Sequence, residues 1–226
     1  MRLGLPGPRD LGAERATADF IRTNLPLTPV PGTGIALHLA DPRSGLSGLV
    51  GDGPTPYWAY AWPGGVALAM HLTAQPGPER HRGRPLPAFD IGAGSGIAAI
   101  AAARLGHHVI AIDPDPLALV ALDLNAAANG VEVDTVAARC GGFNAHFLIP
   151  TPVLFLAGDV FYNESVTAEV TACLDRQPGE CVALVGDIGR PHLPRDRLDP
   201  LASYPVRDVG DPPTAPPREG WVFRWR

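Results

Sequence analysis

The chain has 226 residues, 46% of them hydrophobic, and a formal net charge of -5, which fits one α/β domain with a short appendage and excludes disorder throughout. The acidic balance lacks the broad basic footprint of a nucleic-acid binder. No apolar run reaches a bilayer span and the N-terminus lacks the profile of a secretory leader, so a cytoplasmic chain with neither nucleic-acid nor membrane partner is expected.

Residues 1–56 read as an N-terminal accessory segment, with an amphipathic helix from Ala13 to Asn24, a Pro-rich stretch from Leu25 to Gly34 and a strand from Ile35 to Leu39. The main domain, residues 57–226, begins with the aromatic cluster Tyr57-Trp58-Ala59-Tyr60-Ala61-Trp62-Pro63-Gly64-Gly65, which runs into a helix from Val66 to Thr73. Apolar runs then alternate with helical patterns, as in βαβ units of a parallel sheet. Strands are expected at Ala88 to Ile91, His108 to Ile112, Val133 to Ala137, Val153 to Ala157 and Cys181 to Val185. Helices are expected at Ile97 to Leu105, Leu117 to Asn129 and Ser165 to Leu174, with Gly106 and Gly130 as stops and Asn163 as a cap. Val206 to Val209 and Trp221 to Trp225, joined by a Pro-rich connection, predict a C-terminal hairpin.

All 18 basic residues are Arg, a pattern that would prevent self-modification by a lysine-modifying enzyme and that GC-rich coding explains equally well. Cys140, Cys173 and Cys181 are odd in number and lack C-x-x-C spacing, so neither a disulfide framework nor a zinc site is indicated; reduced, buried thiols are expected. The histidines show no metal-ligand spacing, and no metal is implied.

Asp90-Ile91-Gly92-Ala93-Gly94-Ser95-Gly96 lies between the first core strand and its helix, where a turn without Cβ atoms lets a ligand rest on the backbone. The spacing is G-x-G-x-G, so it departs from the dinucleotide fingerprint, and no Lys is present to make a P-loop. D-x-G-x-G-x-G is instead the pattern of S-adenosylmethionine (SAM) methyltransferases. Asp113, at the end of the second strand, is placed to accept both ribose hydroxyls. Asp90, Gly92, Gly94, Gly96 and Asp113 are therefore the candidate SAM residues, with Trp62 as a wall over the methionine end; the alternative for Trp62 is an aromatic plug in the core.

Asp159 follows the fourth core strand and should face the same crevice. Methyl transfer to an amine moves positive charge from sulfur to nitrogen, and a fixed carboxylate beside that nitrogen stabilises the transition state. A lysine must first lose a proton, which a carboxylate alone would oppose, while desolvation by Phe161, Tyr162 and Trp62 would favour it. Asp159 and Tyr162 are the candidate catalytic residues, and Phe161 with Tyr162 the candidate substrate contacts.

Pro56 to Gly65, Asp90 to Gly96, Asp113-Pro114-Asp115-Pro116, Gly158-Asp159-Val160-Phe161-Tyr162 and Gly186-Asp187-Ile188-Gly189-Arg190-Pro191 together resemble the electron transfer flavoprotein β-subunit lysine methyltransferases, a branch of the seven-β-strand protein lysine methyltransferases. The resemblance implies a Rossmann-like, mostly parallel seven-stranded sheet with a C-terminal antiparallel hairpin (a class I SAM methyltransferase). It also implies SAM as methyl donor and the electron transfer flavoprotein β subunit as protein substrate, and suggests a bacterial, cytoplasmic member. A small amine such as nicotinamide is the alternative acceptor, and a SAM-binding scaffold without turnover the non-enzymatic alternative. Where many SAM enzymes carry an acidic residue after the third strand for the adenine amino group, Ala137 to Phe143 has none, leaving adenine to backbone groups and Phe143.

Overall fold

The computed structural model describes residues 11–50, 56–74, 80–81, 84–140, 152–177, 180–212 and 214–226. Helix α1 (Leu11–Asn24) leads into an antiparallel hairpin of β1 (Leu27–Val30) and β2 (Ile35–His38). The Pro-rich stretch before Ile35 is thus half strand: Pro29 sits inside β1, which a two-stranded ribbon tolerates because each strand keeps an outer edge needing no N–H. A short helix α2 (Ser47–Val50) and a 3-10 turn at Tyr57–Ala59 precede α3 (Pro63–Ala74). A small ribbon of β3 (Arg80–His81) and β4 (Arg84–Pro85) follows.

The main sheet is built from β5 (Ala88–Ile91), β6 (Val109–Asp113), β7 (Asp134–Ala137), β8 (Leu154–Gly158), β9 (Val182–Asp187), β10 (Leu198–Val206) and β11 (Arg218–Trp225). Between them run α4 (Ile97–Arg104), α5 (Pro116–Ala128) and α6 (Glu164–Asp175). The spatial order is β10-β11-β9-β8-β5-β6-β7. Five strands are parallel, and the tail hairpin joins them antiparallel through β11 and β9. This is the expected seven-stranded arrangement. The hairpin's first strand begins well upstream of the expected Val206, because Pro200 and Pro205 mask it in the sequence; on an edge strand both are admissible.

Side chains alternate across the sheet, so the strands feed two cores. Ala88, Leu154, Leu156 and Leu184 pack with α3 and α4, while Phe89, Phe155 and Val185 pack with Val170, Cys173 and Leu174 of α6. Phe89 and Phe155 stack with centroids 5.5 Å apart, and burial of each such ring contributes roughly 1.5–3 kcal/mol. On the α3 side the approach is closer than side chains allow. A Cβ on Gly158 would meet Gly65 Cα at 2.8 Å, and one on Gly186 would overlap the Gly64 carbonyl oxygen. The first turn of α3 therefore rests on the backbone ends of β8 and β9.

The N-terminal hairpin is fastened to the rest of the fold by two asparagines of the α5 region. Asn125 accepts the His38 N–H at 2.7 Å and donates to the Ser95 carbonyl at 2.9 Å, while the Asn129 side chain brackets both backbone groups of Ala36. Ile21, Leu25 and Trp58 fill the space between α1 and α5 with Ala118 and Ala121. The cysteines correct one expectation. Cys140 and Cys173, 33 residues apart, form a disulfide, and Cys181 is free and half-buried. Their proximity comes from the packing of α6 against the residues that follow β7, which cysteine spacing does not disclose.

Because the Gly64–Gly186 crossing is backbone against backbone, Gly186→Ala should destabilise the fold by about 3 kcal/mol in urea unfolding. Gly48→Ala, where among the described residues no atom beyond its own helix turn comes within 4 Å of the added methyl, should stay within about 0.5 kcal/mol of the parent.

Candidate active site

The order of the parallel strands reverses between β5 and β8, and in open α/β sheets the crevice at such a switch point, beyond the carboxyl ends of the strands, is where ligands sit. The glycine loop leaves β5 there, Asp113 ends β6 and Asp159 follows β8. Gly92, Gly94 and Gly96 all have positive φ (65°, 51° and 81°), conformations that let their peptide groups line the turn without side-chain obstruction. Asp113 grips this loop: Oδ2 accepts the Gly94 N–H and Oδ1 the Asp115 N–H, each at 2.9 Å. Burial pushes the Asp113 carboxyl up, and those two N–H groups hold it down. The cradle fits a ligand lying on backbone, with an acceptor carboxylate at its rim.

Asp90 plays a different part from the one expected. It lies buried beneath the loop, and Oδ2 accepts the Ala99 N–H at 3.0 Å. Gly96, at the cap position of α4, has no side chain to offer, so Asp90 supplies from β5 the acceptor that the helix start lacks. It supports the loop from below. Burial raises its carboxyl to about 7, with Asp113 pushing the same way and the Ala99 N–H opposing.

Asp159 has a left-handed backbone, φ 54°, the single non-glycine case of positive φ among the described residues. Its Oδ2 accepts the N–H of Gly64 at the start of α3, and its Oδ1 accepts Arg190 Nε at 2.8 Å. Burial raises this carboxyl to about 6; Arg190 and the Gly64 N–H pull it down, while Asp187 pushes it up. The neighbouring Asp187 turns its Oδ1 to the N–H groups of Gly189 and Arg190, at 2.6 and 2.7 Å. The sequence motif around Arg190 shows no role for it, because an ion pair across 31 residues leaves no local signal.

An aromatic group stands beside these carboxylates. Tyr57 contacts Trp62 at 5.9 Å and Tyr162 at 6.3 Å, and Tyr60 meets Trp62 at 6.2 Å between ring centroids. Trp62 Nε1 donates to the Tyr57 carbonyl at 2.8 Å, fixing the indole. Tyr57 and Tyr162 are both more than half exposed. Burial first, then the Asp113 and Tyr57 groups, raises the Tyr162 hydroxyl, which stays protonated and able to donate. Phe161 is corrected from the expected substrate contact: it is fully buried and stacks on Trp225 at 6.1 Å, inside the α6 core. After β8 the chain keeps Asp159, Val160 and Phe161 buried and first turns a side chain outward at Tyr162. Phe143, expected near adenine, lies outside the described residues.

Strand order, glycine loop and the carboxylate ending β6 define the class I SAM-dependent methyltransferase fold. Residues 79–146 match the family described as ribosomal protein L11 methyltransferase (PrmA). The chain is similar to proteins named electron transfer flavoprotein beta subunit lysine methyltransferase, at 34% identity in Rattus norvegicus and 33% in Danio rerio. These alignments cover 66% and 69% of this chain and 58% and 60% of the relatives, so the chain spans about three fifths of their length. A ribosomal protein L11 methyltransferase of Brucella suis is 32% identical over 61% of this chain and 47% of its own. Among solved structures, a Pyrococcus horikoshii protein described provisionally as an RNA methyltransferase shares the fold: TM-score 0.53 at 14% identity, covering 83% of this chain and 98% of that one.

The buried carboxylates generate a pH prediction. An acid whose folded pKa is raised keeps its proton where the unfolded chain has lost it, so its stabilising contribution disappears as pH climbs from about 4 through the folded value. Stability should therefore fall between about pH 4 and 7. Asp90→Asn should flatten the upper part of that fall by up to one proton, about 1.4 kcal/mol per pH unit, as read by urea midpoints across the range.

Proposed function

We propose that the chain is a SAM-dependent protein lysine N-methyltransferase, acting on the electron transfer flavoprotein β subunit. The observation that carries this reading is the convergence, at one switch point, of the Asp113-braced glycine loop with Asp159, the exposed Tyr57 and Tyr162 rings and the half-buried Trp62. Gly92, Gly94, Gly96 and Asp113 would hold the donor, and SAM when bound supplies an activated methyl group on a sulfonium. The similarity to enzymes named for lysine methylation of that subunit supports the protein acceptor.

The chain's own residues contribute position and charge rather than a strong base. Asp159 offers a carboxylate to the nitrogen as positive charge develops there, and the Gly64 N–H that holds its other oxygen keeps it aimed without reorganisation during transfer. Trp62, Tyr57 and Tyr162 present π-faces and a hydroxyl at the opening, suited to holding the methylated cation. Alignment of nitrogen, methyl carbon and sulfur then contributes most to the rate.

Incubation with labelled SAM and purified electron transfer flavoprotein should place label on lysines of its β subunit, mapped by mass spectrometry; label confined to small molecules would refute the protein acceptor. Asp113→Ala should weaken SAM binding by calorimetry at least about tenfold, the worth of a charge-assisted hydrogen bond. Asp159→Asn should lower kcat about 100-fold while SAM affinity changes little. Tight NAD binding without SAM binding would overturn the assignment of the loop.

A further inference from the structure

The place prepared for an acceptor cation already contains one. Arg190 Nε donates to Asp159 Oδ1 at 2.8 Å, and its guanidinium carbon lies 5.5 Å from the centroid of the Trp62 ring. One side chain thus takes both the carboxylate and the π-face that a lysine ammonium would seek. The other Asp159 oxygen is engaged by Gly64. An entering ammonium must compete with Arg190 for its counter-ion.

Arg190 also has a second hold. Its Nη2 reaches Asp208 Oδ1 at 3.4 Å, a longer contact than that to Asp159. Asp208 lines a groove of about 590 Å³ together with Tyr60, Ala61, Val66 and Val206, and Tyr60 in turn touches Trp62. The backbone at 190 is fixed by its N–H to Asp187, so only the side chain has to move between the two carboxylates.

We infer that Arg190 is a resident counter-ion in the acceptor seat, displaced by the incoming lysine ammonium from Asp159 onto Asp208, so that acceptor entry is an exchange of cations. The inference rests on Asp159 being the acceptor's carboxylate, as proposed above. Exchange keeps the buried Asp159 paired throughout, avoiding the several kcal/mol that an uncompensated buried charge costs. It also sets specificity. A neutral nitrogen heterocycle brings no charge to release Arg190, whereas a primary ammonium on a slim alkyl chain does. Arginine suits the resident role because it stays protonated and is no nucleophile at neutral pH, and a lysine, absent from this chain, would itself become an acceptor there.

Thermal unfolding of the parent, Arg190→Gln and the Asp159→Asn/Arg190→Gln double variant is compared in n-butylammonium chloride and in sodium chloride at equal ionic strength. The single variant, with its seat vacated, should gain about 2 °C or more from the alkylammonium, and the parent and the double variant should not. An equal response of parent and single variant, including none in either, overturns the inference. Should Arg190→Gln not fold, Asp208→Asn decides: the acceptor KM should rise on the order of fivefold, more than kcat falls, with the SAM Kd held. An unchanged KM, or a loss in kcat alone, overturns it. Failure of the parent to bind SAM would sink the methyltransferase reading while leaving the alkylammonium result in force.

Discussion

Helix N-termini crowd the carboxyl edge of this sheet, and the unpaired N–H groups of their first turns must each find an acceptor. Acids and an amide answer them: Asp159 serves α3, Asp90 serves α4, Asp115 serves α5 and Asn163 serves α6. Two of these acceptors come from elsewhere in the chain because the residues just before those helices, Trp62 and Gly96, offer no side-chain acceptor, and glycine is required where α3 rests on β8 and β9 and where the loop turns into α4. Close backbone approach and remote capping are therefore one constraint. It draws Asp90 and Asp159 into the interior at the edge where a ligand would bind, and burial there pushes both upward, as it does Asp113 and Asp187 beside them.

The same constraint sets a carboxylate beneath the loop apart from those at the rim of the crevice. Asp90 faces α4 and serves the loop from beneath, while Asp113 ends its strand and braces the loop at the rim. Asp159 belongs to both groups: it caps α3 and also meets Arg190, whose guanidinium is held between two acids and an indole. Asn125 extends the support outward, connecting the N-terminal hairpin to the Ser95 carbonyl in the loop itself. The N-terminal hairpin is thereby part of what holds the glycine loop in shape.

Most of the parallel core was legible in the sequence because buried strands and Ala-rich helices with glycine stops carry local signals. β5 matches its expected bounds, and α4, α5 and α6 differ only at their ends. Proline concealed β1 and most of β10, since a residue depleted from strand interiors is tolerated at ribbon and sheet edges. In the site, the glycine loop and Asp113 were legible through spacing and strand position. The burial of Phe161, the capping duty of Asp90, the Cys140–Cys173 disulfide and the Arg190 ion pair were not, because each depends on elements meeting from far apart in the chain.

The backbone at Asp159 narrows what that position can become. Left-handed geometry is comfortable for glycine, asparagine and aspartate and strained for other side chains. Of those three only one bears a negative charge. A lineage that needs an anion at this point has no conservative replacement to drift through: glutamate would keep the charge and strain the turn, and asparagine would keep the turn and lose the charge. The turn that aims the side chain also fixes its chemical identity.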